Sequence, residues 1–329
     1  MLGCAGPRLS DDERAFFRDA DPLGFILFAR NCETPDQIRA LVRALRDAVG
    51  RADAPVLIDQ EGGRVARLKP PHWRAYPSAA RMAALGPPAE EAIFLAARLI
   101  ADDLAALGIT VDCLPVLDIP VAGADAVIGD RAYGSDPAAV ARLGGAACKG
   151  LLAGGVLPVI KHIPGHGRAT VDSHASLPTV SADRATLDAA DFTPFRALKG
   201  MPWAMTAHIV YTAIDAAAPA TLSPKVIGDV IRSSIGFDGV LVSDDLSMKA
   251  LGGGFRERAA KALAAGCDLV LHCNGDRREM EAVLEGTAPL TRAARRRVER
   301  AEAQRQASQP FDRAAAEARL DALVGAPAA

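Results

Sequence analysis

No stretch of this 329-residue chain approaches the ~20 consecutive apolar residues that a membrane-spanning helix needs. The first residues, Met-Leu-Gly-Cys-Ala-Gly, lack a basic segment followed by an apolar one, so no secretory leader is expected. Leu2-Gly3-Cys4 would suit the end of a lipoprotein signal, but no hydrophobic stretch precedes it, and no lipid is expected on Cys4. An excess of one charge is also missing. The 38 Lys and Arg nearly balance 40 Asp and Glu, for a formal net charge of −2. That balance argues against nucleic acid as a partner, which normally demands a basic excess. There is no C-x-x-C pair; the six cysteines (Cys4, Cys32, Cys113, Cys148, Cys267 and Cys273) are scattered, mostly in apolar segments. Buried free thiols in a reducing compartment are expected. No linker, internal repeat or phosphate-binding loop is evident, since no G-K-[ST] follows the glycine pair of "DQEGGRV". These absences point to a cytoplasmic protein with no membrane and no nucleic-acid partner.

What the chain does contain is alternation. Short apolar runs at residues 2–6, 24–28, 55–59, 110–118, 157–162, 204–210, 239–245 and 267–274 read as eight strands. Most are continuously apolar, as expected for parallel strands buried on both faces. Helical segments lie between them. Thr34 suits an N-cap with Pro35 at the first helical position, and Gly108 and Gly266 suit helix ends. Eight strand–helix units over most of the chain predict an α/β fold, a closed (β/α)8 TIM barrel spanning residues 1–290. A doubly wound open sheet is the alternative. Residues 291–329 are Arg-rich and helical in composition, with Glu299 and Glu302 interleaved, which predicts a solvated tail packed on the barrel. The first residue falls almost inside the first strand, so a start a few residues earlier is expected.

In such barrels function sits at the C-terminal ends of the strands. Six of the eight predicted strands end in polar groups there: Asp59, Asp118, Lys161 with His162, His208, Asp244 with Asp245, and Asn274. Asp59 and Glu61 precede a Gly-Gly turn followed by Arg64 and Arg67, a set able to grip a polar ligand. Arg131 lies in a Gly-rich loop on the same side. Of the adjacent pair Asp244 and Asp245, alternation lets only one face the barrel mouth; Asp244 reads as a nucleophile or charge stabiliser and Asp245 as structural. The segment "KHIPGHGRATVDSH" opens a loop of about twenty residues, a length typical of active-site lids. In it Asp172 stands two residues before His174, and an Asp near a His orients the ring and favours the imidazolium. His162 and His166 are four apart, but a strand end running into "PGHG" is not one helix face. No metal and no cofactor are expected.

The motifs "DQEGGRV", "KHIPGHG", "DSH" and "SDDLSM", in this order between residues 24 and 274, resemble the family 3 glycoside hydrolases. More narrowly, they are similar to the single-domain bacterial β-N-acetylglucosaminidases of peptidoglycan recycling. The resemblance implies a (β/α)8 barrel, a cytoplasmic location and a retaining mechanism without metal. It implies Asp244 as the nucleophile, His174 as the acid/base with Asp172 as its partner, and Asp59, Arg67, Arg131, Lys161 and His162 as sugar-holding residues. His166 is then left to shape the loop. Most retaining glycosidases use two carboxylates; a histidine in the second role is workable, because that side chain exchanges protons near ~6.5 in water. Ile163 stands where the family motif more often has Phe. The implied substrate is a terminal β-linked N-acetylglucosamine, as in GlcNAc–anhydro-N-acetylmuramic acid muropeptides, taken by a monomer. Two alternatives are a phosphorylase on the same site and a non-catalytic sugar-binding barrel. Whether Asp118 and His208 touch ligand or brace Lys161 is open from sequence.

Overall fold

The computed structural model describes residues 1–325. Eight parallel strands form one sheet in chain order: β1 Leu2–Gly3, β2 Phe25–Leu27, β3 Val56–Ile58, β4 Val111–Asp112, β5 Leu157–Ile163, β6 Trp203–Thr206, β7 Val240–Asp245 and β8 Leu269–Leu271. Leu2 bridges His272 in parallel, and the Gly3 N–H donates to the His272 carbonyl at 2.8 Å. The sheet therefore closes on itself as a (β/α)8 barrel, not as an open doubly wound sheet. Each predicted strand run overlaps one of these strands, β5 and β6 each extending one residue beyond its run.

Alternation along the strands separates two cores. Leu57, Val111, Cys113, Leu157, Val159, Trp203, Met205, Val240 and Val242 cluster inside the barrel. Val56, Ile58, Ile160, Ala204 and Leu241, one residue out of step, join the larger cluster under the helices. This parity determines the mouth. Asp59 continues the inward series of Leu57, Lys161 that of Leu157 and Val159, and Asp244 that of Val240 and Val242. Polar side chains thus end the inward-facing file of three strands.

The helices form where the sequence supplies ends for them. Thr34 caps Pro35–Val49 by accepting from the Gln37 N–H, and Gly50 ends that helix at φ 64°. Gly108 and Gly266 end Ala89–Leu107 and Phe255–Ala265 in the left-handed region, at φ 81° and 117°. All six cysteines are free thiols, and all but half-buried Cys32 are buried. No helix among the described residues is long and apolar enough to cross a membrane.

The Arg-rich segment forms helix Arg292–Glu302, whose Ala301 joins the interior cluster while Arg297 pairs with Asp238 (3.0 Å) and Asp268 (2.9 Å), just ahead of β7 and β8. It closes the barrel floor. A last helix, Arg313–Val324, packs on Ala89–Leu107 through Arg313 to Asp103 (2.8 Å) and Arg319 to Glu91 (2.7 Å). Its Asp321 also pairs with Arg74, from the loop after β3.

One region departs from the sequence reading. The run 204–210 is not a single strand: β6 stops at Thr206, and Val210–Tyr211 pairs instead with Thr179–Val180 in a separate two-stranded ribbon. This ribbon fastens the far end of the long loop after β5 to the loop after β6.

Candidate active site

At the mouth lies a cavity of about 250 Å³ lined by Asp59, Glu61, Arg67, Arg131, Lys161, His162, Asp172, His174 and Asp244 among others. The eight residues singled out from sequence, spread over residues 59–244, therefore share one cavity.

Its floor is a file of alternating charges. Arg67 Nη2 donates to Asp59 Oδ2 (3.0 Å), and Lys161 Nζ donates to Asp59 Oδ1 (2.8 Å). Lys161 also pairs with Glu61 Oε1 (2.6 Å), and Arg131 holds both Glu61 oxygens with two donors at 2.8 Å each. Burial alone would raise the Asp59 and Glu61 carboxyls, but Lys161 with Arg67 and with Arg131 outweighs it, and both are held below the usual carboxylate range. Burial alone would lower the Lys161 ammonium, yet the two carboxylates keep it firmly charged. Three cations on two anions leave unused carboxylate lone pairs and N–H donors, the groups that bind vicinal hydroxyls.

Gln60 builds the turn that carries these groups. Its side-chain oxygen accepts from the Arg67 and Leu68 N–H groups (2.8 and 3.0 Å), and its amide donates to the Leu68 carbonyl (3.1 Å). Gly62, at φ 91°, has no room for a side chain, since a Cβ would lie 2.5 Å from the Pro77 carbonyl oxygen. Arg64 is not part of the floor; it reaches outward to Asp130 (2.9 Å).

The two residues left open resolve as braces, and neither of them braces Lys161. Asp118 Oδ2 lies 2.6 Å from His162 Nδ1, and its Oδ1 accepts the His162 and His166 N–H groups (3.1 and 2.6 Å). Burial would raise the Asp118 carboxyl, but the His162 ring and these N–H groups bring it down to about 2. Anchored at Nδ1, the His162 ring has Nε2 left for a ligand. His208 is kept neutral by burial, its pKa pushed down. Its Nε2–H donates to the Asp245 carbonyl (3.0 Å), and its Nδ1 accepts from the Thr221 hydroxyl (2.7 Å).

Asp244 and Asp245 separate as alternation requires. Asp245 accepts from the Ser247 N–H (3.0 Å) and the Cys273 N–H (3.1 Å) and stitches the loop after β7. Both residues line the cavity, but the Asp244 carboxylate is not drawn into that loop and accepts the Asp245 N–H (2.8 Å). Burial would raise its carboxyl, but the His162 ring and the Asp245 N–H hold it below the usual range. It is an ionised, partly desolvated carboxylate. Also on the cavity lining, Asp172 Oδ1 accepts the His174 N–H (2.8 Å) and meets His174 Nδ1 (2.8 Å). The His174 side chain is 65% exposed.

Glycosyl hydrolase family 3 N terminal domain is the family that matches residues 3–304. The chain belongs to glycosyl hydrolase family 3. Curated relatives agree: the beta-hexosaminidase of Alkalilimnicola ehrlichii is 41% identical over 281 residues, covering 83% of this chain and 80% of that protein. The beta-hexosaminidase of Methylococcus capsulatus is 40% identical over 278 residues, 83% and 82% of the two chains. NagZ from Neisseria gonorrhoeae, solved in complex with N-trifluoroacetyl-D-glucosamine, superposes with a TM-score of 0.88 at 34% identity, covering 98% of this chain and 97% of that one. This family 3 chain is a glycoside hydrolase with the activity of a β-N-acetylglucosaminidase.

Two residues of this family 3 barrel were named from sequence but given no assigned role in the site. Glu61, the shared partner of Lys161 and Arg131, was legible as the residue two beyond Asp59 and hence on the same face. Asp118 was seen as a strand end, but its partner 44 residues away was not. Among the described residues no group of three or more His, Cys, Asp or Glu side chains is placed to hold a metal ion.

Proposed function

We propose that the chain is a retaining exo-acting enzyme that removes a terminal non-reducing β-linked N-acetylglucosamine through a covalent glycosyl–Asp244 intermediate. The observation that carries this reading is the cavity's division of labour. A charged floor meets a half-buried ionised carboxylate on one wall and, on the rim, an exposed His174 paired with half-buried Asp172. The floor groups Asp59, Arg67, Arg131, Lys161 and His162 hold the hydroxyls of one sugar ring. A cavity of about 250 Å³ accepts one ring and leaves the rest of the substrate outside, which makes the action exo.

In the first step an Asp244 oxygen attacks the anomeric carbon. The bond from that carbon to the leaving oxygen breaks, and the imidazolium of His174 gives that oxygen a proton. Asp172 fixes the ring through Nδ1 and offsets its positive charge, so Nε2 carries the transferred proton. In the second step the now neutral imidazole takes a proton from water, the hydroxyl bonds to the anomeric carbon, and the Asp244 carboxylate is released. A neutral imidazole also repels an incoming anion less than a carboxylate would, which is why phosphate belongs among the tested acceptors.

The substrate we propose is a GlcNAc–anhydro-N-acetylmuramic acid muropeptide of peptidoglycan recycling, hydrolysed in the cytoplasm by a monomer without a cofactor. The N-trifluoroacetyl-D-glucosamine bound by the gonococcal relative supports the sugar, and the motif order supports the pathway. The deciding experiment uses 4-nitrophenyl β-N-acetylglucosaminide with and without phosphate, alongside Asp244→Asn. Turnover to free N-acetylglucosamine is expected, with the variant slower by roughly 10⁴-fold or more. A 5-fluoro glycosyl fluoride should add one sugar mass to the peptide holding Asp244. Formation of the 1-phosphate would replace hydrolysis by phosphorolysis, and binding without turnover would overturn the catalytic reading.

A further inference from the structure

Asp172 and His174 belong to a stretch with almost no hold on the barrel. Among the described residues, every hydrogen bond from residues 170–177 to the rest of the chain runs through Ser173. Ser173 is 2% exposed, although it stands between the half-buried Asp172 and the exposed His174. Its Oγ shares a hydrogen bond of 3.0 Å with His166 Nε2, and its carbonyl accepts the Ala250 N–H at 3.2 Å. The two partners belong to the two strand ends that matter. His166 follows β5, which carries Lys161 and His162; Ala250 follows β7, which carries Asp244.

His166 is itself held on the barrel side. Its N–H is held by Asp118, and its ring stands edge-on to the His162 ring at 5.6 Å between centroids. Gly167 beside it is packed so closely that a Cβ would lie 2.0 Å from the Ile119 carbonyl oxygen. Burial, reinforced by the His162 ring, pushes the His166 imidazole down to about 4, so it stays neutral at neutral pH.

From this geometry we infer that Ser173 and His166 form a latch that positions His174 for proton transfer to and from the substrate. The latch rests on reading His174 as the acid/base. Both are positioning residues; neither touches the reacting atoms. With the hydroxyl engaged, the turn carrying Asp172 and His174 is fixed to the same strand ends as His162 and Asp244. With it released, residues 170–177 keep only their internal bonds and the Ala250 contact, and His174 samples positions away from the leaving oxygen.

The test is Ser173→Ala, His166→Gln and the double variant in the full chain, assayed on aryl β-N-acetylglucosaminides of graded leaving-group acidity. For Ser173→Ala, kcat/KM on the phenyl glycoside is expected to fall roughly 10- to 100-fold, the scale of a ~1 Å misplacement. On the dinitrophenyl glycoside, which leaves without a proton, kcat/KM should change little. There kcat should fall and recover with azide, giving the glycosyl azide. Because one bond is removed twice, the double variant should be no slower than the slower single one. Should His166→Gln not fold, Ser173→Ala decides alone. A loss equal across all leaving groups without azide recovery, or no loss, overturns the latch. His174→Ala in parallel separates the two claims. If it too lacks leaving-group dependence, the acid/base reading fails; if it alone shows the dependence, only the latch fails.

Discussion

The two walls of the cavity are built on opposite principles. The charged floor is largely buried, multiply paired and continuous with the barrel interior; Lys161 is 2% exposed and touches two carboxylates. The rim is an exposed turn whose hydrogen bonds to the barrel, among the described residues, all pass through one serine. In the mechanism proposed above, recognition comes from desolvated charges that cannot move without a large electrostatic cost, whereas proton transfer uses a group that meets water and leaving group in turn. Stability and activity should therefore respond to the two walls differently.

The largest effect is expected at the floor. Lys161→Met leaves Asp59 and Glu61 buried side by side without their shared cation; losing one partner of a buried pair costs about 3–5 kcal/mol. Chemical denaturation should show that loss, and calorimetry should show N-acetylglucosamine binding fall with it. If stability were intact, the floor would not be the structural element described above. His174→Ala sharpens the contrast from the other side. Turnover should fall by roughly 10²–10⁴, the range for a lost acid/base, while unfolding free energy stays within about 0.5 kcal/mol of the parent, as for an exposed side chain.

Between the walls, His166 gives the comparison a pH axis. Its folded value of about 4 lies below that of a free histidine near ~6.5, so between those pH values the unfolded chain binds the extra proton. Its contribution is therefore full above pH ~6.5 and lost as pH falls toward 4, with a slope of at most about 1.4 kcal/mol per pH unit. Denaturation of His166→Gln at pH 7 and pH 5 should show a smaller difference than the parent does. Below that window Asp118 takes over: its stabilising effect is present above the unfolded carboxylate value and lost as pH falls toward about 2. The smallest effect is expected for Arg64→Ala, whose pair with Asp130 is roughly half exposed at both ends; its stability should change by less than about 1 kcal/mol.

The strands and the mouth were legible because they obey a local rule. Continuous apolar runs mark parallel strands, and the period of two carries Asp59, Lys161 and Asp244 inward from their apolar predecessors. Helix ends at Thr34, Gly108 and Gly266 were legible for the same reason, since capping chemistry is local. What escaped depends on pairing across sequence distance. Residues 207–210 look like the continuation of β6 until the segment at 179–180 offers residues 210–211 a different partner. Ser173 is a small polar residue in a polar loop, and nothing nearby marks it as buried. The role of Asp118 stays open in the sequence until His162 and His166 are seen to occupy both its oxygens.

The last two helices contribute no side chain to the cavity, yet one closes the barrel floor and the other pairs with Arg74 in the loop after the Gln60 turn. A nonsense mutation just past Gly286 would spare every motif that marks the family and all eight strands. A gene survey that scores integrity by those motifs would count such an allele as intact, although it encodes a barrel open at its base, with Ala301 gone from its interior and Asp268 stripped of one of its two arginines.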